Sequence, residues 1–182
     1  IVDGAALTLS GDHQFESVLV RNSGVITSPE DQGIKITADT IEVDASSRID
    51  VSGKGRLGST STVDYTGGSY GGLGGVVNGS TNATYGDFRE PTDLGTGGRL
   101  YSNYFTRGGG ALELRTKRLK LDGRILANGQ ALYQYGSGSG GSLLLRVDAL
   151  ELGAQAQIQA NGGGTVDCCS YGGGGGGRNA VY

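Results

Sequence analysis

Three acidic residues lie close together in the segment YGDFREPTDLG, and their type and spacing suit a metal ion. Asp87, Glu90 and Asp93 could present carboxylate oxygens to calcium, which prefers oxygen ligands. Acidic residues in loops are more often turn formers and caps, and no HExxH, CxxC or EF-hand spacing accompanies these three. We therefore expect no cofactor, with calcium at these residues as the alternative.

Other charged residues could support acid–base catalysis. Outward positions of the predicted strands place Glu42, Lys120 and Glu151 in one column. Hydrolysis of a polysaccharide needs clustered carboxylates in acid and base roles, whereas alternating signs are typical of a cross-strand charge ladder. The single histidine, His13, lies far from this face. We expect no enzyme, and a polysaccharide lyase or hydrolase is the alternative.

The stretch CCSYGGGGGGR (168–178) combines two thiols with a glycine run. It is not a phosphate-binding loop, because the GK[ST] ending and a following helix pattern are both lacking. Cys168 and Cys169 have Cα atoms about 3.8 Å apart, below the usual disulfide range. A bond between them would be a strained ring that stiffens the chain, and free thiols or a link to another chain are the alternatives.

Composition excludes some partners and suggests a location. The net charge of −3 gives no electrostatic footprint for nucleic acid. No apolar run approaches the length that membrane insertion requires, about 18 residues. Two N-glycosylation sequons occur close together, at Asn78 and Asn82. They favour a glycosylated protein outside the cell or on its surface.

A repeat predicts the elements that position these residues. Three stretches share one pattern of alternating apolar residues, and Leu112, Leu119 and Leu121 recur 31 residues later as Leu143, Leu150 and Leu152. The pattern predicts an all-β right-handed parallel β-helix with about four rungs of three short strands. The three stretches are IKITADTIEVDASSRIDVSG (34–53), LELRTKRLKLDGRILANG (112–129) and LLLRVDALELGAQAQIQANG (143–162).

The same pattern predicts which side chains stack in interior columns. The predicted columns are Leu7/Ile34/Leu112/Leu143, Val18/Ile41/Leu119/Leu150, Val20/Val43/Leu121/Leu152, Val25/Ile49/Ile125/Ile158 and Thr27/Val51/Ala127/Ala160. We interpret residues 1–182 as one domain, with residues 53–110 as a long insertion at one corner.

The corners share a second pattern of tyrosine followed by glycine. Tyr104, Tyr135 and Tyr171 each lie eight residues before the next strand, and SYGG also occurs at Tyr70. Glycine supplies 37 of 182 residues, so we expect glycine-rich segments to run close together without side chains between them. The four tyrosines would form an aromatic ladder or, alternatively, an interaction face for ligands such as glycans.

The chain resembles a family of glycine-rich parallel β-helix repeats found in large secreted or cell-surface proteins. The resemblance rests on segments such as GGSYGGLGG, RGGGALELRTKRLKLDGRILANG and YGGGGGGR and covers roughly residues 34–182. It implies an extracellular, adhesive or structural role and no defined catalytic residues. This chain departs from the pattern at Asn179, a polar residue at an inward position.

Neither end of the chain carries an amphipathic capping helix, although exposed rung edges normally need a cap. We therefore expect the partners to be other copies of the chain, stacked end to end in a filament, or neighbouring domains of a longer chain. The alternative function is a carbohydrate-binding or polysaccharide-cleaving domain, so that glycans are the alternative partner.

Overall fold

The computed structural model describes residues 1–58, 65–77, 79–98, 105–131, 136–164 and 171–182. Within these ranges the protein is all-β, with eleven strands and no helix. The strands are β1 (Val2–Asp3), β2 (Ala6–Thr8), β3 (Gly11–Arg21), β4 (Val25–Thr27), β5 (Ile34–Val43), β6 (Arg48–Asp50), β7 (Ala111–Leu121), β8 (Arg124–Leu126), β9 (Ser142–Leu152), β10 (Gln157–Gln159) and β11 (Arg178–Val181).

The strands form two parallel sheets between which the chain alternates. The first sheet has six strands in the order β1-β3-β5-β7-β9-β11, and the second has five in the order β2-β4-β6-β8-β10. Each strand pairs with its counterpart from the neighbouring repeat. The 31-residue spacing is confirmed as strand register, because Leu112 pairs with Leu143 and Leu119 pairs with Leu150.

Each long strand of the first sheet covers two of the predicted short strands. β5, for example, is continuous from Ile34 to Val43, so the prediction of three short strands per rung is wrong. Ala38 and Ile41 are both buried, and Asp39 between them has no register partner on β3 or β7. Side chains alternate along a regular strand, so this shift lets residues seven apart face the same side within one strand.

The interior columns of the first sheet are largely confirmed, with one exception. Val18, Ile41, Leu119 and Leu150 lie in register across four strands, and Val20, Val43, Leu121 and Leu152 do the same. Leu7 does not join Ile34, however, because β2 belongs to the second sheet and Gly11 is the neighbour of Ile34. The short β2 and the long β3 are separate strands, which the apolar pattern of residues 6–28, weaker than that of the three later stretches, did not reveal.

In the second sheet the predicted columns are wrong by one residue at β4. Ile26, rather than Val25, pairs with Ile49, followed by Ile125 and Ile158. Val25 instead pairs with Arg48, and the same offset removes Thr27 from its predicted column. Both candidates are β-branched and apolar, so composition could not distinguish them, but the constant 23-residue register does.

The apolar side chains between the sheets form one buried cluster. Ile36, Ile41, Leu119, Leu121 and Ile125 are completely buried. Burial of each such side chain contributes about 1.5–3 kcal/mol. The repeat therefore stabilises the fold through continuous columns rather than through isolated contacts.

Glycine-rich segments connect the second sheet back to the first, and they pack directly on one another. We call residues 66–76, 94–98, 106–110, 136–141 and 172–177 the glycine layer. Backbone hydrogen bonds join different segments, including Gly109 N to Ser139 O at 2.8 Å and Gly140 N to Gly175 O at 2.9 Å. The expected close packing of the glycine runs is thus observed.

In the last glycine run, every third residue has open space at its missing β-carbon, and the residues between them lie against the backbone of other segments. A β-carbon added at Gly172, Gly174, Gly175 or Gly177 would lie 1.9–2.2 Å from a backbone oxygen of another segment. Gly173 and Gly176, three residues apart, have no atom closer than 3.8 Å. This period is that of extended helices with three residues per turn. Glycine is required here by close packing, since no residue of this run has a positive φ.

Candidate interaction face

The insertion (53–110) is anchored to the sheets through Tyr70, which is completely buried. Its hydroxyl donates to Ser142 Oγ at 2.7 Å, and Ser142 Oγ donates in turn to the carbonyl oxygen of Asp93. The Tyr70 ring packs against Tyr85 with centroids 4.9 Å apart, and the Arg178 guanidinium lies 5.4 Å from its centroid. Tyr70 thus joins the insertion to the starts of β9 and β11.

This position does not fit the expectation that Tyr70 lies on a ligand-binding face. A ring without exposed surface cannot stack on a sugar, so the role of Tyr70 is packing. Tyr171 lies edge-on to Tyr65 of the insertion, with centroids 5.1 Å apart and planes at 72°. Tyr104 and Tyr135 lie outside the described residues, so the ladder and the ligand face remain predictions there.

Tyr85 is a second anchor that the sequence pattern missed. Its hydroxyl donates to the carbonyl oxygen of Leu94, and its own carbonyl oxygen accepts from Arg178 Nη2 at 2.9 Å. Burial raises the pKa of its phenol. Tyr85 is followed directly by glycine, as Tyr70, Tyr135 and Tyr171 are, but it lies outside the eight-residue register of Tyr104, Tyr135 and Tyr171.

Three charged or polar contacts hold the remainder of the insertion against the repeats. Arg146 of β9 forms an ion pair with Glu90. The Tyr182 hydroxyl donates to the Arg89 carbonyl oxygen at 2.8 Å. Arg107 pairs with the carboxylates of Glu30 and Asp31, each at 2.8 Å. Segment 85–93 is therefore fixed along β11 and the first half of β9.

The acidic loop residues use these same contacts and do not converge on one point. Asp87 accepts a hydrogen bond from the backbone N–H of Arg89 at 2.7 Å, as a turn-forming aspartate does. The Glu90 carboxylate pairs with Arg146. Within the described ranges, no group of three or more His, Cys, Asp or Glu side chains could hold a metal ion. The geometry gives calcium at Asp87, Glu90 and Asp93 no support.

The sequon at Asn82 is engaged in backbone hydrogen bonds. Its Nδ2 donates to the carbonyl oxygens of Ser69 and Ala83, each at 3.0 Å, and its Oδ1 accepts from Ser69 N. A glycan bonded to Nδ2 would replace one of its two hydrogens. Glycosylation at Asn82 would therefore cost one of the hydrogen bonds to Ser69 and Ala83. Asn78, Cys168 and Cys169 lie outside the described residues.

A groove of about 560 Å³ crosses the first sheet at the position where Asp39 has no register partner. Phe15 and Tyr182 lie at its rim and are 42% and 55% exposed. Lys117 and Asp39 also line the groove and form an ion pair at 2.7 Å, and this pairing raises the pKa of Lys117. The groove thus combines aromatic surface with polar and charged groups.

The column of Glu42, Lys120 and Glu151 is confirmed by strand register. Glu151 also accepts two hydrogen bonds from Arg118, at 2.9 and 3.1 Å. These hydrogen bonds lower the pKa of Glu151 and raise that of Arg118. Carboxylates held in such pairs act as a charge ladder on this face.

Asp44 is a carboxylate with a structural role in the turns between the sheets. Partial burial raises its pKa, but hydrogen bonds from the Ser47 side chain, Asn22 N and the Ser46 side chain and N–H outweigh burial and lower the pKa to about 2. The Asn22 N–H lies 2.7 Å from Asp44 Oδ2. Because Asn22 and Ser23 both have positive φ, Asp44 stabilises a strained turn in the neighbouring repeat.

We predict that Asp44→Asn lowers the free energy of unfolding at neutral pH by about 1–2 kcal/mol. A depressed pKa contributes stability above the unfolded-state value of 3.8 that is lost as pH falls towards 2. Urea unfolding at several pH values should therefore show a smaller loss between pH 4 and pH 2 in the variant. Asp12→Asn, which removes an exposed ion pair with Lys35, is the control; equal pH dependence in Asp44→Asn and wild type would contradict the assignment.

The chain matches no protein-family model, and neither the curated proteins nor the solved structures contain a significant match to it. In the described part of the chain, no helix has the length and apolar character needed to cross a membrane.

Proposed function

We propose that the chain is a non-enzymatic structural module of an extracellular or cell-surface protein, built as a right-handed parallel β-helix. Such a solenoid would act as a rigid scaffold that holds the insertion as an adhesive surface. The observation that carries this proposal is the uninterrupted parallel pairing of each strand with its counterpart one repeat away, in both sheets. The resemblance to glycine-rich surface repeats agrees with it.

The glycine layer supports the scaffold role by linking repeats that are distant in sequence. Gly68 N donates to Ser137 O, and Gly175 N donates to Gly68 O, each at 2.9 Å. One segment of the insertion is therefore bonded to the corners that precede β9 and β11. Bonds across so many segments resist bending, as a scaffold requires.

The insertion supports the adhesive part of the proposal. Leu73, Val76 and Phe88 are 67%, 53% and 63% exposed, although the segment around them is anchored by Tyr70 and Tyr85. Exposed apolar side chains on a fixed support are typical of contact surfaces for other macromolecules. We infer that these residues face the adhesion partner.

Two measurements test the scaffold function. Hydrogen exchange should show slow exchange in both sheets and in the glycine layer together, because their bonds form one network. Incubation with a panel of neutral and acidic polysaccharides should leave their chain lengths unchanged. Shortened polysaccharide would overturn the non-enzymatic assignment, and rapid exchange in the glycine layer would overturn the rigid scaffold.

The groove beside Phe15 and Tyr182 favours carbohydrate binding as a second candidate function. Aromatic rings beside polar groups suit sugar rings, and Phe15 and Tyr182 lie at the rim of this groove. A glycan array should show binding that Tyr182→Ala weakens and that the matched Phe88→Ala, outside the groove, leaves unchanged. Binding that ignores Tyr182 would exclude this groove.

A further inference from the structure

We propose that the outer face of the first sheet, next to the insertion, forms a cleft that binds an uncharged polysaccharide. The inference rests on the second candidate function, carbohydrate binding, and names the class of polymer and the residues that would hold it. It does not depend on the scaffold function. We use the name cleft for two grooves on this face, the one of about 560 Å³ described above and a smaller one of about 260 Å³.

The insertion forms one wall of the cleft, because it covers the outer face of the sheet at β9. Leu143 and Leu145 belong to the interior cluster, so Leu144 between them points to the outer face. Leu144 is nevertheless only 1% exposed. The side chains two residues before and after it, Ser142 and Arg146, both contact the insertion. The insertion therefore lies on this part of the sheet and shields Leu144 from solvent.

On β7 and β5 the same column carries charged side chains that reach solvent. Glu113 is in register with Leu144, and Lys35 is in register with Glu113. Both line the smaller groove together with Thr92 of the insertion. The covered part of the sheet carries leucine and the uncovered part carries charged residues, as burial requires. The edge of the insertion thus borders an open, polar part of the sheet.

The two grooves adjoin along the strands. The smaller groove is lined by Lys35 and Glu113, and the larger groove begins two residues further along the same strands, at Thr37 and Arg115. Alternate residues of a strand face the same side of the sheet, so these four side chains share the outer face. Residues 35–39 of β5 span about 13 Å at about 3.3 Å per residue. This length exceeds one sugar ring and suits a chain of several rings.

The charges that line the cleft cancel one another. Each of the four cations is paired with a carboxylate, as Lys117 is with Asp39 at 2.7 Å. An acidic polymer would meet as many carboxylates as cations and would have to separate existing ion pairs, which an uncharged polymer need not do. The cations are Lys35, Arg115, Lys117 and Arg146, and the carboxylates that line the cleft are Asp12, Asp39, Glu113 and Asp148.

Exposed ion pairs of this kind suit sugar hydroxyl groups. A hydroxyl group both donates and accepts hydrogen bonds, so it can donate to the carboxylate of a pair and accept from the cation. Arg115 donates to Glu113 through Nε, and a guanidinium has five N–H donors, which is more than this pair uses. Hydrogen bonds to charged groups are stronger than those between neutral groups. The paired charges would therefore hold an uncharged polysaccharide without being separated.

Isothermal titration calorimetry tests the class of ligand with oligosaccharides of cellulose, mannan and xylan, which are uncharged, and of polygalacturonate, which is acidic. At least one uncharged oligosaccharide should bind, and the acidic one should not. Arg115→Gln should weaken binding about tenfold or more, because it removes charge-assisted hydrogen bonds. Arg118→Gln should bind like wild type, since Arg118 is also an exposed arginine of β7 paired with a carboxylate but lies outside both grooves.

A second pair of variants tests the argument from charge. Asp39→Asn removes the carboxylate that lies 2.7 Å from Lys117, so this variant should gain binding of the polygalacturonate oligosaccharide. Glu42→Gln removes the same charge from the same strand outside both grooves and should gain none. If Asp39→Asn gains no more than Glu42→Gln, the ion pairs do not determine the class of ligand.

The remaining outcomes separate this inference from the scaffold function. A wild type that binds none of the uncharged oligosaccharides overturns the cleft, and the scaffold stands if hydrogen exchange is still slow in the sheets and the glycine layer. Binding of the acidic oligosaccharide instead overturns the class of ligand. Equal affinities of Arg115→Gln and Arg118→Gln overturn the position of the site. Circular dichroism establishes that all four variants fold.

Discussion

Replacing Gly175 by alanine should prevent the protein from folding stably, whereas the same change at the adjacent Gly176 should be tolerated. A β-carbon at Gly175 would lie 2.0 Å from the carbonyl oxygen of Gly72, and one at Gly176 would have no atom within 4 Å. Neither residue has a positive φ, so neither change forces alanine into the left-handed region, and the expected difference comes from the space around the new methyl group.

The expected loss of stability in Gly175→Ala is large because the new β-carbon would contact backbone atoms rather than side chains. Overpacking against side chains costs about 1–3 kcal/mol, since rotamers can shift. A backbone segment bonded on several sides cannot shift alone: Gly175 N donates to Gly68 O, and its carbonyl oxygen accepts from Gly140 N. We therefore expect Gly175→Ala to cost about 3 kcal/mol or more. Gly176→Ala should change stability by less than about 1 kcal/mol, since alanine restricts the unfolded chain.

Thermal unfolding of the two variants, followed by circular dichroism, provides the measurement. Gly173→Ala is a second control, because its β-carbon would lie 3.8 Å from the nearest atom. Equal stability of the Gly175 and Gly176 variants would contradict the packing of the last glycine run. A loss at Gly176 alone would contradict the threefold pattern.

The sequence predicted the columns of the first sheet well because each repeat supplies independent evidence for the same column. Leu119 and Leu150 are 31 residues apart and lie in register, as expected from spacing alone. At β4 the apolar pattern is weaker than in the three later stretches, and two adjacent apolar residues, Val25 and Ile26, satisfied it equally. The turn with positive φ at Asn22 and Ser23, which precedes this strand, has no signature in the apolar pattern.

The insertion could not be predicted in the same way, because it occurs once and has no counterpart to compare. The tyrosine–glycine pattern correctly indicated closely packed segments, but it gave no information about exposure. Tyr70 was expected on an interaction face and is completely buried. Its partners Tyr85 and Ser142 are 15 and 72 residues away in sequence, and only tertiary packing brings them together.

Tyr70→Ala should therefore release the insertion while the two sheets stay folded. Truncation of a buried aromatic side chain costs about 3–5 kcal/mol, and the Tyr70 ring contacts Tyr85 and Arg178, both at the junction with the repeats. Tyr70→Phe keeps the ring and loses one hydrogen bond to Ser142, which costs about 1 kcal/mol.

Hydrogen exchange resolved by peptide separates this outcome from general destabilisation. In Tyr70→Ala, exchange should accelerate in residues 65–77 and 79–98, while β5 and β7 keep their protection, because their columns do not involve the insertion. Phe88→Ala, at an aromatic residue of the same insertion that is 63% exposed, should change neither region. If Tyr70→Phe accelerated exchange as much as Tyr70→Ala, the hydrogen bond rather than the buried ring would be the anchor. If β5 and β7 lost protection together with the insertion, the insertion and the sheets would form one cooperative unit, and the adhesive surface could not be altered without altering the scaffold.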